Sequence, residues 1–398
     1  MGTLTSRALR LVLCAATFGG VGILGTVGVG AANAAVTPAT AHGTGTQVVG
    51  HVYLDDNTPG TNTIGAFDRH ADGSLSPLAG SPFVAGGAGT GAGLASQGAL
   101  QLSSDGRYLI AVDAGSNQIS VLRIRPDGSL KLVPGGVVSS GGPTPVSVAV
   151  HDNLAYVANA GAVGPNYTGF RLNRGGHLRP LAGSTVALPN GSQPGDVLFN
   201  STGTNLVGTR VGTSEIDSFL VDRRGLLTAA AGSPFPAQGL GPFGSEFRPS
   251  NPRQLFVSNA HNGGSLGTVS AFRVAHDGAL SSIGASPFPD LQAAPCWVEI
   301  THDGQFLFTV NTAAGTISRY SIARDGTLTL LGSTPVSATG GVGAVDARLT
   351  PGGRTLFVNE SRIGAVGAFA VNGGNLTELP SSPTPLPAGA TPAGLVVN

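Results

Sequence analysis

Two ionisable residues, an aromatic and charged neighbours two places on recur in matching contexts about fifty residues apart. Asp196, Trp297 and Asp346 each open a short apolar stretch, and Glu299 and Arg348 follow the last two by two residues, as Glu246 follows Gly244. Side chains two apart on a strand share a face. The columns read Ala99, Ser147, Asp196, Gly244, Trp297, Asp346, Gly394 and Gln101, Ala149, Leu198, Glu246, Glu299, Arg348, Val396, whereas the positions between are mostly apolar, as at Val148, Val197, Val298 and Leu395. Acids gathered beside an arginine could bind a small polar ligand, with Glu246 or Glu299 as a general base. The same groups could instead simply pair across neighbouring strands, as Glu299 and Arg348 would. A buried charge without a partner is costly, so acids left unpaired carry the functional weight.

A second set closes apolar runs of similar length: Asp113, Asn159, Arg210, Asn259, Asn311 and Asn359, with Glu215 and His261 just beyond. Arg210 interrupts a row of asparagines. Its guanidinium could hold a carboxylate or phosphate at two points, or steady developing negative charge. The competing reading is that Asn and Asp here cap turns through their side chains. No histidine pair has zinc spacing, no Gly-x-Ser-x-Gly string occurs, and Asp55-Asp56-Asn57 lacks the rest of a calcium loop, so no metal or cofactor is expected. Cys296, beside Trp297, reads as a small buried hydrophobe, with a nucleophile as the alternative. Asn166-Tyr167-Thr168 matches a glycosylation sequon, a string frequent by chance.

These positions must be held by a repeat. Turns at Asp72-Gly73, Asp127-Gly128, Gly175-Gly176, Arg224-Gly225, Asp277-Gly278, Asp325-Gly326 and Gly373-Gly374 lie 55, 48, 49, 53, 48 and 48 residues apart, which defines seven units. In the sixth, Ala294 to Thr301, Phe306 to Val310, Thr316 to Ile322 and Thr327 to Gly332 read as four strands joined by tight turns. The fold expected is all-β: a seven-bladed β-propeller of four-stranded antiparallel blades. The first unit, from Gln47, lacks a first strand, whereas residues 391–397 repeat the Pro-led pattern of Thr144-Pro145 and Gln193-Pro194. The C-terminal strand is therefore expected to close blade one and remove the open sheet edges.

The chain begins with Arg7 and Arg10, an uncharged apolar stretch from Leu11 to Val29, and Ala32-Asn33-Ala34. This reads as a bacterial-type signal peptide over residues 1–34, followed by a flexible segment at 35–46 and the propeller at 47–398. The mature protein is then expected to be secreted, with no stable membrane span after cleavage; an uncleaved anchor is the alternative. Cys296 would be its only cysteine, so no internal disulfide is available. Lys+Arg and Asp+Glu balance at 21 each, without a basic cluster, which argues against a nucleic-acid partner. A monomer is expected, with a small molecule in the central channel or a partner at the surface.

The string Asp303-Gly304-Gln305-Phe306-Leu307-Phe308-Thr309-Val310-Asn311, followed by Gly315-Thr316-Ile317-Ser318 and Arg324-Asp325-Gly326-Thr327-Leu328, resembles the seven-bladed lactonase propellers. These include bacterial 6-phosphogluconolactonase and fungal carboxymuconate cyclase. The resemblance covers the whole propeller and implies an enzyme that hydrolyses or forms a lactone of a small carbohydrate or organic acid, which the N-terminal segment would make an exported one. Members of the family carry a Gly-Pro-Arg-His string and, later in the same blade, an Asn-Glu pair. Here Gly241-Pro242-Phe243-Gly244 and Asn259-Ala260 stand at those places, so the usual Arg and His are missing. Asn359-Glu360 matches the second half of the motif in blade seven, which makes Glu360 a further catalytic candidate. A non-catalytic propeller that binds a protein or cell-wall component is the alternative function.

Overall fold

The computed structural model describes residues 47–337 and 343–398. The expected signal peptide at 1–34 and the flexible segment at 35–46 lie outside the described residues. The chain forms seven antiparallel sheets arranged as blades around a common axis. The innermost strands are Gly394–Val397, Leu100–Leu102, Pro145–His151, Pro194–Phe199, Pro242–Arg248, Pro295–Ile300 and Ala344–Leu349, in blades one to seven. The second strands, in the same order, are Val48–Asp55, Tyr108–Asp113, Leu154–Asn159, Asn205–Arg210, Asn251–Asn259, Phe306–Asn311 and Thr355–Glu360. Third and outer strands follow. In blades one, three, four, five and seven the outer edge is broken into two short pieces that both pair with the third strand.

Local chemistry explains this regularity. The second glycine-turn residue of every unit, from Gly73 to Gly374, has a φ between 78 and 96°, a conformation that side-chain-bearing residues resist. Second strands such as Tyr108–Asp113 are buried along their whole length because both faces pack on neighbouring blades. One apolar layer joins Tyr53, Ile64 and Ala66 of blade one to Leu100, Leu109 and Leu122 of blade two; another joins Val207 and Ile216 to Phe247, Leu255 and Phe272. Each large side chain buried this way contributes about 1.5–3 kcal/mol. Tyrosine hydroxyls pin successive blades: Tyr53 donates to the Gly128 carbonyl (2.8 Å), Tyr108 to Arg174 (3.0 Å) and Tyr156 to Gly225 (2.8 Å).

The ring closes as expected. Gly394–Val397 pairs antiparallel with Val48–Asp55, from Val52 opposite Val397 to Asp55 opposite Gly394. The Asn398 side-chain oxygen accepts from the His51 backbone N–H at 2.7 Å.

Candidate functional site

The first column of candidates does not line an open tube. Residues 85–99, which lead from the outer edge of blade one to the inner strand of blade two, fold into the axis at the end where the inner strands begin. Gly195 O accepts from Gln97 N (3.0 Å), Ser245 O from Gln97 Nε2 (3.0 Å) and Ser96 O from the Trp297 indole (2.7 Å), while Gln97 Oε1 accepts from Val298 N (2.9 Å). Gly98 gives its carbonyl to Val148 N (2.9 Å) and its N–H to Asp346. The chain itself occupies the axis beside Asp196, Trp297 and Asp346.

The acids of both columns have a shared duty. Each accepts a backbone N–H from the inner strand of the next blade: Asp196 from Ser245 (3.0 Å), Glu246 from Ile300, Glu299 from Leu349 (2.8 Å) and Asp346 from Leu395 (3.1 Å). Ser147 Oγ does the same for Val197 (3.2 Å). Arg348 sits 3.2 Å from Glu299 and 3.6 Å from Asp346, as the pairing alternative anticipates. Burial pushes the Asp196 carboxyl up to about 7, against its bonds to Ser245. Glu246 is raised well above the usual range, by burial and then by Glu299. Glu246, Glu299 and Arg348 stand two residues further along the same inner strands.

Arg210 is committed within its own blade. Its Nε and Nη2 donate to the two Asp217 oxygens at 2.7 and 2.6 Å, and Nη1 lies 3.3 Å from Glu215. Burial opposes the charge, yet Asp217 holds the guanidinium above its ordinary value. The Tyr167 hydroxyl of blade three adds a bond to Asp217 at 3.1 Å. Neighbouring blades have the same clasp between second and third strands: Asn311 Nδ2 donates to Thr316 and Ser318 (3.0 and 2.8 Å), and Asn259 Nδ2 to Thr268 and Ser270 (3.0 and 2.8 Å). His261 is half-buried, with its ring against the Gly241 backbone.

In blade seven the register differs from the sequence reading by one residue. Asn311 pairs with Pro295 and Thr316; the residue in that place is Glu360, opposite Ala344 and Ala365, not Asn359. Asn359 therefore faces blade one, and its buried amide has no hydrogen-bond partner. Glu360 faces blade six over Gly367, where a Cβ would overlap its Oε1. The third strand thus lacks the clasping side chain, and both Glu360 oxygens are buried without a hydrogen bond of good geometry. Burial, then the nearby Glu378 charge, push this carboxyl up to about 7, while the Ser337 hydroxyl favours the charged form. Thr312 of blade six, whose carbonyl accepts from Gly343 N at 2.7 Å, has a buried hydroxyl without a partner.

Among the described residues no group of three or more His, Cys, Asp or Glu is placed to hold a metal ion, and no helix is long and apolar enough to cross a membrane. A closed ring of seven antiparallel blades defines the β-propeller class of protein. The family model for the lactonase 7-bladed β-propeller matches residues 60–199 and 246–393, well over half of the chain, and the protein belongs to that family. Similar solved structures include a candidate 6-phosphogluconolactonase from Bacteroides fragilis (20% identity, 91% of this chain and 100% of that one, TM-score 0.68). The periplasmic gluconolactonase of Pseudomonas aeruginosa is also similar (18% identity, 87% and 98%, TM-score 0.66). At these identities the likeness speaks to the fold. No curated protein sequence matches the chain.

Proposed function

We propose that the protein is an exported lactone hydrolase that opens a small cyclic ester by adding water, with Glu360 as general base. The observation that carries this reading is the Glu360 carboxyl, buried without a clasp and pushed up to about 7, as a base working near neutrality needs to be. Water approaching the lactone carbonyl loses its proton to Glu360, and the unpartnered Thr312 hydroxyl is the donor available to the developing oxyanion. Arg210 has no place in this chemistry, because Asp217 takes its Nε/Nη2 edge and Glu215 lies against Nη1. Family membership supports the reaction class. Support for export comes from the Arg7, Arg10 and Leu11 to Val29 pattern and from a similar fold in a periplasmic gluconolactonase. The substrate is a sugar or organic-acid lactone without phosphate, since no cluster of basic side chains accompanies Glu360.

The bonded state of the channel acids favours one second reading, a non-catalytic ring that presents its loops to a partner. A lactone-hydrolysis panel on purified residues 35–398, run beside the Glu360→Gln variant, separates the two. Turnover lost in the variant supports the hydrolase; no turnover of any lactone by the parent overturns it.

A further inference from the structure

The segment at the axis makes contacts that a ligand would make. Gln97 is 3% exposed and lies among the starts of the inner strands of blades four, five and six. Its carboxamide meets one donor and one acceptor in a matched pair: Val298 N–H to Oε1 at 2.9 Å, and Nε2 to Ser245 O at 3.0 Å. Space for it comes from Gly244, the one column position among blades three to seven with no side chain, where a Cβ would overlap Gln97 Oε1. Neighbouring blades satisfy the equivalent backbone N–H from their own chain, through Ser147, Asp196 and Asp346. Blade five leaves that task to a residue 147 positions earlier in the sequence.

The flanks of the segment are held differently from its tip. Asn57 fixes the near end, with Oδ1 accepting from Thr90 N (2.8 Å) and Nδ2 donating to Ala92 O (2.6 Å). Leu100–Leu102 fixes the far end as the inner strand of blade two. Between them Gly93 and Ala95 are exposed, Leu94 packs half-buried against the apolar layer of blades two and three, and the tip beyond it is held by the hydrogen bonds of Ser96, Gln97 and Gly98. Anchored flanks with a polar, glycine-bearing tip describe a tethered plug.

We propose that the mouth of the channel is a binding niche for a primary carboxamide, which the chain fills with its own Gln97, so that the segment 93–98 acts as a tethered internal ligand. The niche reads both ends of an amide: an acid would set its second oxygen against the Ser245 carbonyl, and an amine would leave Val298 N–H unpaired. A buried donor or acceptor without its partner costs about 1–3 kcal/mol, which makes the niche selective.

Trp297 is the only tryptophan, and its indole N–H is bonded to the plug, so its hydrogen exchange reports on the mouth directly. In the parent protein this proton should exchange slowly. Gln97→Gly should speed its exchange at least tenfold, and propionamide, which reproduces the glutamine side chain from Cβ outward, should restore protection where propionate does not. Gln97→Glu, which keeps the size and one acceptor, should also exchange faster, and supplies the reading if the glycine variant does not fold. Equal exchange in parent and variants overturns the proposal, as does failure of propionamide to protect, or equal protection by propionate.

Discussion

Glu360 and Asp56 stand at the same place in neighbouring blades, each over a third-strand glycine, Gly367 or Gly65, where other blades offer a hydroxyl or Asp217. Burial pushes both carboxyls up to about 7. Asp56 accepts from the Thr63 hydroxyl of its own third strand at 2.8 Å, whereas the third strand beside Glu360 offers no hydroxyl and only Ser337, outside that strand, favours its charged form. Glu360→Gln should therefore lower kcat/KM by about 10²–10⁴-fold, the usual worth of a positioned base, and leave the fold intact. In the parent, kcat/KM should rise with pH through about 7 as the carboxyl ionises; a flat profile between pH 5 and 8.5 removes Glu360 from the role. Arg210→Ala tests the opposite assignment. It strands Asp217, which is 2% exposed, and should cost about 3–5 kcal/mol in denaturant melts. Arg210→Met combined with Asp217→Leu should recover most of that loss, because an apolar pair leaves no buried charge.

Much of the architecture was legible because turns and strand starts have strong local chemistry. Asp127-Gly128 and its six counterparts announce positive φ, and Pro392 announces an inner strand whose partner lies at Val48–Asp55. Removing residues 391–398 should leave that strand as an open edge, so the truncated protein should melt at least 10 °C lower and form aggregates visible by size exclusion. The plug was not legible, since Gln97 lies in a glycine-rich loop without periodicity. Two signals were nevertheless present: the longest turn spacing, 55 residues, which contains the loop, and Gly244 in a column where Asp196 and Asp346 bear side chains. Glu360 was found through the Asn-Glu string, but its place in the ring was not. Strand register decides that place, and a one-residue slip turns a side chain to the opposite face.

Across the molecule, buried and exposed acids pull stability in opposite directions with pH. Asp56, Asp196 and Glu360 are raised to about 7 from ordinary values near 4, with burial as the chief cause, so the unfolded chain gives up these protons first. Between about pH 4 and 7 the folded state binds more protons, and stability falls as pH rises through that window. Asp72, Asp105, Asp127, Asp222 and Asp325 in the surface turns are lowered, mainly by hydrogen bonds from turn residues, so their contribution disappears below about pH 4. Maximum stability should therefore lie near pH 4–5, and denaturant midpoints measured from pH 3.5 to 8.5 should show a decline toward neutrality; a maximum above pH 7 contradicts the assignment. The pairing of Gly394–Val397 with Val48–Asp55 has a consequence in time as well as in space. At roughly 5–20 residues per second a ribosome needs about 20–80 s to reach the last strand. Throughout that interval the earliest-made sheet has no inner strand, so the Val48–Asp55 edge stays unpaired until Gly394–Val397 has been made.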